Sequence, residues 1–97
     1  MIVAGLRFEL RVPHANSLKE KRAVIRPLVE GVRRSASVSV SEVAHQDTWQ
    51  RSAIGVAIVT PDPRSMERLV AIVRRRVEED PQVELLNTTL EYVEMDR

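Results

Sequence analysis

Residues 2–12 read IVAGLRFELRV, and an apolar side chain occupies every second position of this stretch. The residues of that apolar face are Ile2, Ala4, Leu6, Phe8, Leu10 and Val12. Successive side chains of a β-strand point to opposite faces of a sheet, so a period of two predicts a strand with one buried face. Pro13 follows directly and ends the strand, because proline cannot donate the backbone hydrogen bond that would extend it.

The next segment predicts a helix from residue 17 to about residue 34. Ser17 and Glu20 form a capping box, in which each side chain can satisfy a backbone N–H of the other residue. Apolar residues then recur at helical spacing. They are Leu18, Ile25, Leu28, Val29 and Val32.

The remaining sequence predicts a hairpin, a second helix and a last strand. The predicted strands are residues 37–44, 50–60 and 82–94, and the predicted helix is residues 63–79. Asp62 before Pro63 is a favourable N-cap followed by proline at the first helical position. The alternation of the second strand breaks at Glu42 and Val43, which predicts a β-bulge there.

The order βαββαβ, with one apolar face on each element, predicts an α+β fold of the ferredoxin-like plait type. In this fold a four-stranded antiparallel sheet has strand order 4-1-3-2 and carries both helices on one face. A chain of 97 residues is too short for two self-sufficient cores, so residues 1–97 are expected to form one domain. The side chains predicted to be buried are Phe8, Leu28, Ile54, Val56, Leu69 and Val73.

Composition argues against several classes of protein. The chain has no cysteine, which removes disulfides, thiolate chemistry and iron–sulfur clusters. No apolar run approaches the ~18 residues that a membrane span requires, so we expect a cytoplasmic protein without a membrane partner. No nucleophile has a base placed beside it in the predicted fold, and we therefore predict neither an enzyme nor a cofactor.

The start of the first helix carries an unusual group of cations, Lys19, Lys21 and Arg22. The positive end of the helix dipole disfavours a cation in the first turns by about 0.3 to 1 kcal/mol. A phosphate group held by the helix N-terminus and by these side chains, which we expect to be exposed, would offset that cost. The net charge is only +1, so attraction to RNA depends on this arrangement rather than on total charge. The alternative interpretation is a solvated basic helix face.

In the predicted plait, the loop before the first helix and the hairpin between strands two and three lie at the same end of the sheet. Residues 45–50, HQDTWQ, are therefore expected beside the start of that helix. Trp49 has two interpretations, because an exposed Trp stacks on bases whereas a buried one plugs the end of a core. The residues predicted to contact RNA or ribosomal particles are Ser17, Lys19, Lys21, Arg22, Arg26, His45 and Trp49.

His14, His45 and Asp47 have side chains of the types that bind zinc in proteins. Their spacing follows no metal-binding pattern, and such residues are frequent in turns, where they bond to the backbone. We predict no metal and leave a ligand role for these three residues as an alternative.

Two segments resemble the signatures of the YlxP-like family of small bacterial proteins: SLKEKR at residues 17–22 and VSVSEVAHQDTW at residues 38–49. The similarity covers nearly the whole chain, although Ala44 stands where an acidic residue is common. The resemblance implies a ferredoxin-like plait of uncharacterised activity. Genes of that family often lie beside genes for ribosome maturation and translation initiation, which implies an RNA-related role.

The sheet face opposite the helices predicts an alternative function. It carries small side chains and no aromatic residue on which bases could stack, unlike an RNA-recognition motif. Such a flat surface permits close approach of another sheet. The alternative is thus a homodimer, a higher homo-oligomer or a ligand-sensing module that uses this face, or a homo-oligomer that uses a sheet edge. The residues predicted for the oligomer face are Val3, Gly5, Ala53, Gly55 and Ala57.

Overall fold

The computed structural model describes residues 1–95 and contains the predicted βαββαβ succession. Its elements are β1 (Ile2–Arg11), α1 (Leu18–Ala36), β2 (Ser39–Ala44), β3 (Arg51–Thr60), α2 (Pro63–Glu78) and β4 (Glu84–Glu94). The predicted N-cap of α2 is confirmed, because the Asp62 carboxylate accepts a hydrogen bond from the backbone N–H of Ser65 at 2.8 Å. α1 runs past its predicted end. Ser37, expected to open β2, instead caps α1 in the left-handed conformation, with φ 51°.

The sheet is antiparallel with strand order β2-β3-β1-β4, which is the predicted order read from the opposite edge. The clearly alternating β1 is a central strand that pairs with β3 along its whole length. The bulge predicted in β2 is confirmed, because the register against β3 shifts between Glu42 and Ala44. A second shift in β4 leaves Leu86 as an extra residue between Leu85 and Asn87.

Both helices cover one face of the sheet, and their apolar stripes join its buried residues in a single hydrophobic cluster. Five of the six predicted core side chains are buried: Phe8, Leu28, Ile54, Val56 and Val73. The prediction for Leu69 is wrong, because it is only half-buried. The buried stripe of α2 consists of Met66, Val70, Val73 and Val77, and Leu69 lies at the border of that stripe.

The helical layer carries most of the positive charge. α1 and α2 contain eleven of the fifteen Lys and Arg residues but only four of the fourteen Asp and Glu residues. Because the whole chain has a net charge of +1, the strands and connections carry the compensating acidic excess. Neither of these helices, within residues 1–95, is long and apolar enough to cross a membrane.

Candidate functional site

The loop before α1 and the hairpin between β2 and β3 meet at one end of the sheet, as the topology predicts. The backbone N–H of Val12 donates to the carbonyl oxygen of Gln50 at 2.9 Å. The Gln50 side-chain amide donates to the carbonyl oxygen of Ala15 at 3.1 Å. The two segments singled out in the sequence therefore form one continuous surface.

Ser17 caps the N-terminus of α1, and one of the two hydrogen bonds of the predicted capping box is present. Its hydroxyl oxygen accepts from the backbone N–H of Glu20 at 3.1 Å. The Glu20 carboxylate bonds back to the backbone N–H of Asn16 and to the Ser17 hydroxyl, both at 3.3 Å, rather than to the N–H of Ser17. Capping thus accounts for the contacts of Ser17, and it fixes the direction in which the first turns of α1 project.

Lys21 is the largest departure from the sequence-based expectation, because its side chain is 1% exposed. Its ammonium group donates to the carbonyl oxygens of His45 at 2.7 Å, Gln46 at 3.3 Å and Arg51 at 3.3 Å. It also forms an ion pair with Oε2 of Glu42 at 3.2 Å. The expected exposure is therefore wrong for Lys21, since this cation holds the hairpin against α1. Because it is buried, Lys21 cannot contact a phosphate group from solution.

Glu42 is a residue of this site that sequence reasoning missed. Its carboxylate accepts from the hydroxyl of Ser52 at 2.5 Å, in addition to its ion pair with Lys21. The sequence does contain a signal for this role. Glu42 lies two residues after Val40, so the alternation of β2 places an acidic side chain on the same inward face. A carboxylate on the helix-facing side of a strand is stabilised by a cation close to it, and Lys21 is the buried cation at this position.

A second polar cluster lies on the open face of the sheet around Glu9, another residue that the sequence analysis did not single out. Its carboxylate contacts the guanidinium groups of Arg7 at 2.7 Å and Arg51 at 3.3 Å. It also contacts Nε2 of His45 at 3.2 Å. His45 has a left-handed backbone with φ 63°, which turns the chain at the end of β2. The His45 ring is thus directed to Glu9 rather than to α1.

The hydrogen bond from Arg7, opposed by partial burial and reinforced by Arg51 and His45, holds the pKa of Glu9 below its ordinary value of 4.5. A lowered carboxyl pKa stabilises the fold at pH values above the ordinary pKa. That stabilisation is lost as the pH falls through the lowered pKa. We therefore expect an NMR titration of the Glu9 carboxyl to have its midpoint below 4.5. The variant Arg7→Gln should move this midpoint upward, and an unchanged midpoint would contradict the assignment of Arg7 as the main cause.

Three of the predicted cations remain available on α1. Lys19, Arg22 and Arg26 are exposed, and together with Ala23 and Pro27 they line a shallow groove of about 430 Å³. Their spacing of three and four residues places them on one stripe of the helix. None of the three forms an ion pair with a residue in the part of the chain that the structure covers.

Trp49 is 53% exposed, so the interpretation as a plug for the core is wrong. The hairpin connection places Trp49 between Thr48 and Gln50, both of which are also exposed. Gln50 is bonded to the loop before α1, and Lys21 is bonded to the first residues of the same connection. An exposed indole therefore stands at the same end of the sheet as the basic start of α1.

The predicted oligomer face is only partly open. Gly5 and Ala57 are exposed and Val3 is half-buried, but Ala53 is 0% exposed, so its expected exposure is wrong. The bulge brings the Val43 side chain over Gly55, where a methyl group would approach it to 2.7 Å. These covered positions lie at the end of the face that also carries the Glu9 cluster.

His14, His45 and Asp47 do not come together as a metal site. Among residues 1–95 the structure contains no group of three His, Cys, Asp or Glu side chains placed to hold a metal ion. His14 lies exposed in the loop before α1, whereas the ring of His45 contacts Glu9. The two imidazole rings therefore lie in different parts of the structure.

Fold and site together define a small ferredoxin-like plait protein in which a buried lysine secures a hairpin beside a basic helix start. The family model described as "Protein of unknown function (DUF503)" matches residues 3–90. The chain belongs to this family, and the resemblance found in its sequence is confirmed.

Individual proteins agree with this assignment. The chain is 37% identical over 78 residues to "Uncharacterized protein YlxP" of Bacillus subtilis (strain 168), covering 80% of this chain and 85% of that protein. A de novo designed protein with ferredoxin fold, LFR1 1, is similar in structure with a TM-score of 0.57 and 10% identity, over 93% of this chain and 85% of the design. The de novo designed protein Foldit4 has a TM-score of 0.51 and 18% identity, over 97% of both chains. At these identities the designs establish the fold alone.

Proposed function

We propose that this protein is a non-enzymatic accessory module that binds the phosphate groups of RNA or of a ribonucleoprotein through the start of α1. The observation that carries the proposal is the stripe of Lys19, Arg22 and Arg26, three exposed cations without ion-pair partners among residues 1–95. Unpaired cations on one stripe of a helix raise the local potential, most strongly for Lys19 in the first turn, and a bound polyanion lowers it again.

The distribution of charge supports the same surface. An acidic excess elsewhere leaves a net charge of +1, so the helical layer is the region to which an RNA backbone is attracted. Further along α1, Arg33 is already engaged by Glu30 and by the carbonyl oxygen of Val40. Of the four α1 cations in the described residues that are exposed and form no ion pair, Lys19, Arg22 and Arg26 lie in the first half of the helix, close to the hairpin, and Arg34 lies near its end.

The hairpin contributes in two ways to the proposed site. Lys21 has a positioning role, because its bonds to the carbonyl oxygens of residues 45, 46 and 51 hold the hairpin against α1. In addition, Trp49 presents an exposed ring on which an unpaired base of the same RNA can stack. His45 is a weaker candidate for phosphate than the α1 stripe, since its ring already contacts Glu9.

The test is the salt dependence of binding to a mixed-sequence single-stranded RNA, measured by fluorescence anisotropy. Each phosphate contact on a single strand contributes a slope of about −0.7 in log K against log salt. The variant K19Q/R22Q/R26Q should therefore flatten the slope by about two units. Folding should persist, because the three side chains are exposed.

The matched control is R64Q/R68Q/R75Q, which removes the same charge from exposed positions of α2. If the α1 stripe is the site, this control should keep most of the slope. Equal losses in both variants would mean that only total charge matters, and they would contradict the proposed location. Absence of binding by the parent protein at low salt, both to the RNA and to ribosomal particles in co-sedimentation, would reject the function itself.

A further inference from the structure

β4 forms the longer of the two free edges of the sheet. β4 spans eleven residues and, among the described strands, pairs with β1 alone. The other edge strand, β2, has six residues and is interrupted by a bulge. Proteins usually protect such edges with lysine, proline or a bulge. β4 contains no lysine or proline, and its one bulge lies near its start, which leaves residues 87–94 regular.

The side chains of β4 are also incompletely covered. Leu85 and Leu90 face the helices and pack against the core but remain half-buried. Tyr92 lies on the same face and is 56% exposed, and Val93 on the opposite face is 57% exposed. Free hydrogen-bonding groups and exposed apolar side chains on one strand are the combination that β-strand addition uses.

We propose that a second copy of this chain pairs with β4 in antiparallel fashion, so that two sheets join across a two-fold axis into one eight-stranded sheet. Antiparallel pairing of β4 with β4 of a second copy is consistent with the two-fold symmetry of a closed dimer, because both copies use the same surface. This inference is independent of RNA binding, since it uses the edge of the sheet and none of the cations of α1.

Charge selects the register of the proposed ladder. Placing the axis at Glu91 would set two carboxylates directly opposite each other, which is destabilising in a sheet. With the axis at Leu90, residues 87–93 of the two copies pair without placing like charges opposite each other. No other position of the axis within residues 87–94 gives so long a ladder without such a pair. In that register Leu90 meets the partner's Leu90, and Thr89 lies opposite the partner's Glu91. Thr88 then lies opposite the partner's Tyr92, which would cover part of its exposed ring.

The size of the contact is compatible with a weak dimer. A ladder over residues 87–93 is about 24 Å long. The molecule is 18 to 20 Å across its shorter axes, so two copies joined along this edge bury on the order of 1,000 Å² in total. That area is at the lower limit for a specific interface, and we expect association that becomes evident only at micromolar or higher protein concentration.

The register leads to a charge-swap test by sedimentation equilibrium on the full chain. The variant T89E places a new carboxylate opposite the partner's Glu91 on each side of the axis, and these two repulsions should weaken the dimer by about fivefold. The double variant T89E/E91K replaces both repulsions by opposite-charge pairs and should restore or strengthen association. Within one copy position 89 lies directly opposite Arg7 and position 91 directly opposite Gly5, so neither change places like charges directly opposite each other in the β1–β4 pair.

The matched control is S41E, which adds the same charge at an exposed position of the opposite edge strand and should leave association unchanged. A parent protein that stays monomeric up to high micromolar concentration would overturn the proposal. So would a dimer that responds equally to T89E and S41E, or one that the double variant fails to restore. RNA binding by T89E should equal that of the parent, which separates this result from the proposed function.

Discussion

Replacing Lys21 by methionine is expected to lower the free energy of unfolding by about 3 kcal/mol. The substitution removes the cation from a buried ion pair and leaves the Glu42 carboxylate without a charged partner. It also removes the donor to three backbone carbonyl groups of the hairpin. Glu42 retains 23% side-chain exposure, so water relieves part of the cost and the effect lies at the lower end of the range for buried pairs.

Urea denaturation followed by circular dichroism measures this difference. The control is K19M, which makes the same chemical change on the same helix at an exposed position and should alter stability by less than about 0.5 kcal/mol. The double variant K21M/E42Q should recover part of the loss, because a neutral amide no longer requires the missing cation. If K21M unfolds at the same urea concentration as K19M, the buried pair does not contribute as we infer.

Phe8→Ala is expected to destabilise the fold by about 3 to 5 kcal/mol. Phe8 is completely buried on the central strand β1. The loss combines the transfer free energy of the ring with the cost of the cavity that remains.

A matched truncation on the other face of the sheet is Val59→Ala, since Val59 is 63% exposed. This control should change stability by less than about 1 kcal/mol, because little apolar surface returns to water. Similar losses for Phe8→Ala and Val59→Ala would mean that the two faces of the sheet are equally buried, contrary to the packing of both helices on one side.

Much of the architecture could be predicted from local patterns. The alternation of residues 2–12 identified a half-buried strand, and Asp62 with Pro63 located the start of α2. These signals work because a period of two or of 3.6 residues and a capping side chain act within a few residues of the chain. Ser37 was misplaced, because left-handed capping of a helix end depends on backbone geometry that the sequence specifies weakly.

The candidate site was predicted less completely, and Lys21 illustrates the reason. Its neighbours Lys19 and Arg22 belong to the same charged run, yet they are exposed while Lys21 is buried. The difference arises from the direction in which each side chain leaves the helix relative to a hairpin some twenty residues later. Glu42 was missed in the same way, because its role exists only once α1 lies above β2.

Local sequence patterns specify the succession of strands and helices, the faces that become the core and the two segments that meet at one end of the sheet. Which charges pair inside the molecule depends on the packed fold: Lys21 pairs with Glu42 on the helix-covered face of the sheet, and Glu9 pairs with Arg7 and Arg51 on the open face. The physical reason is one of distance. Periodicity and capping are short-range properties of the chain, whereas burial of a charge depends on partners that only the packed fold brings within about 4 Å.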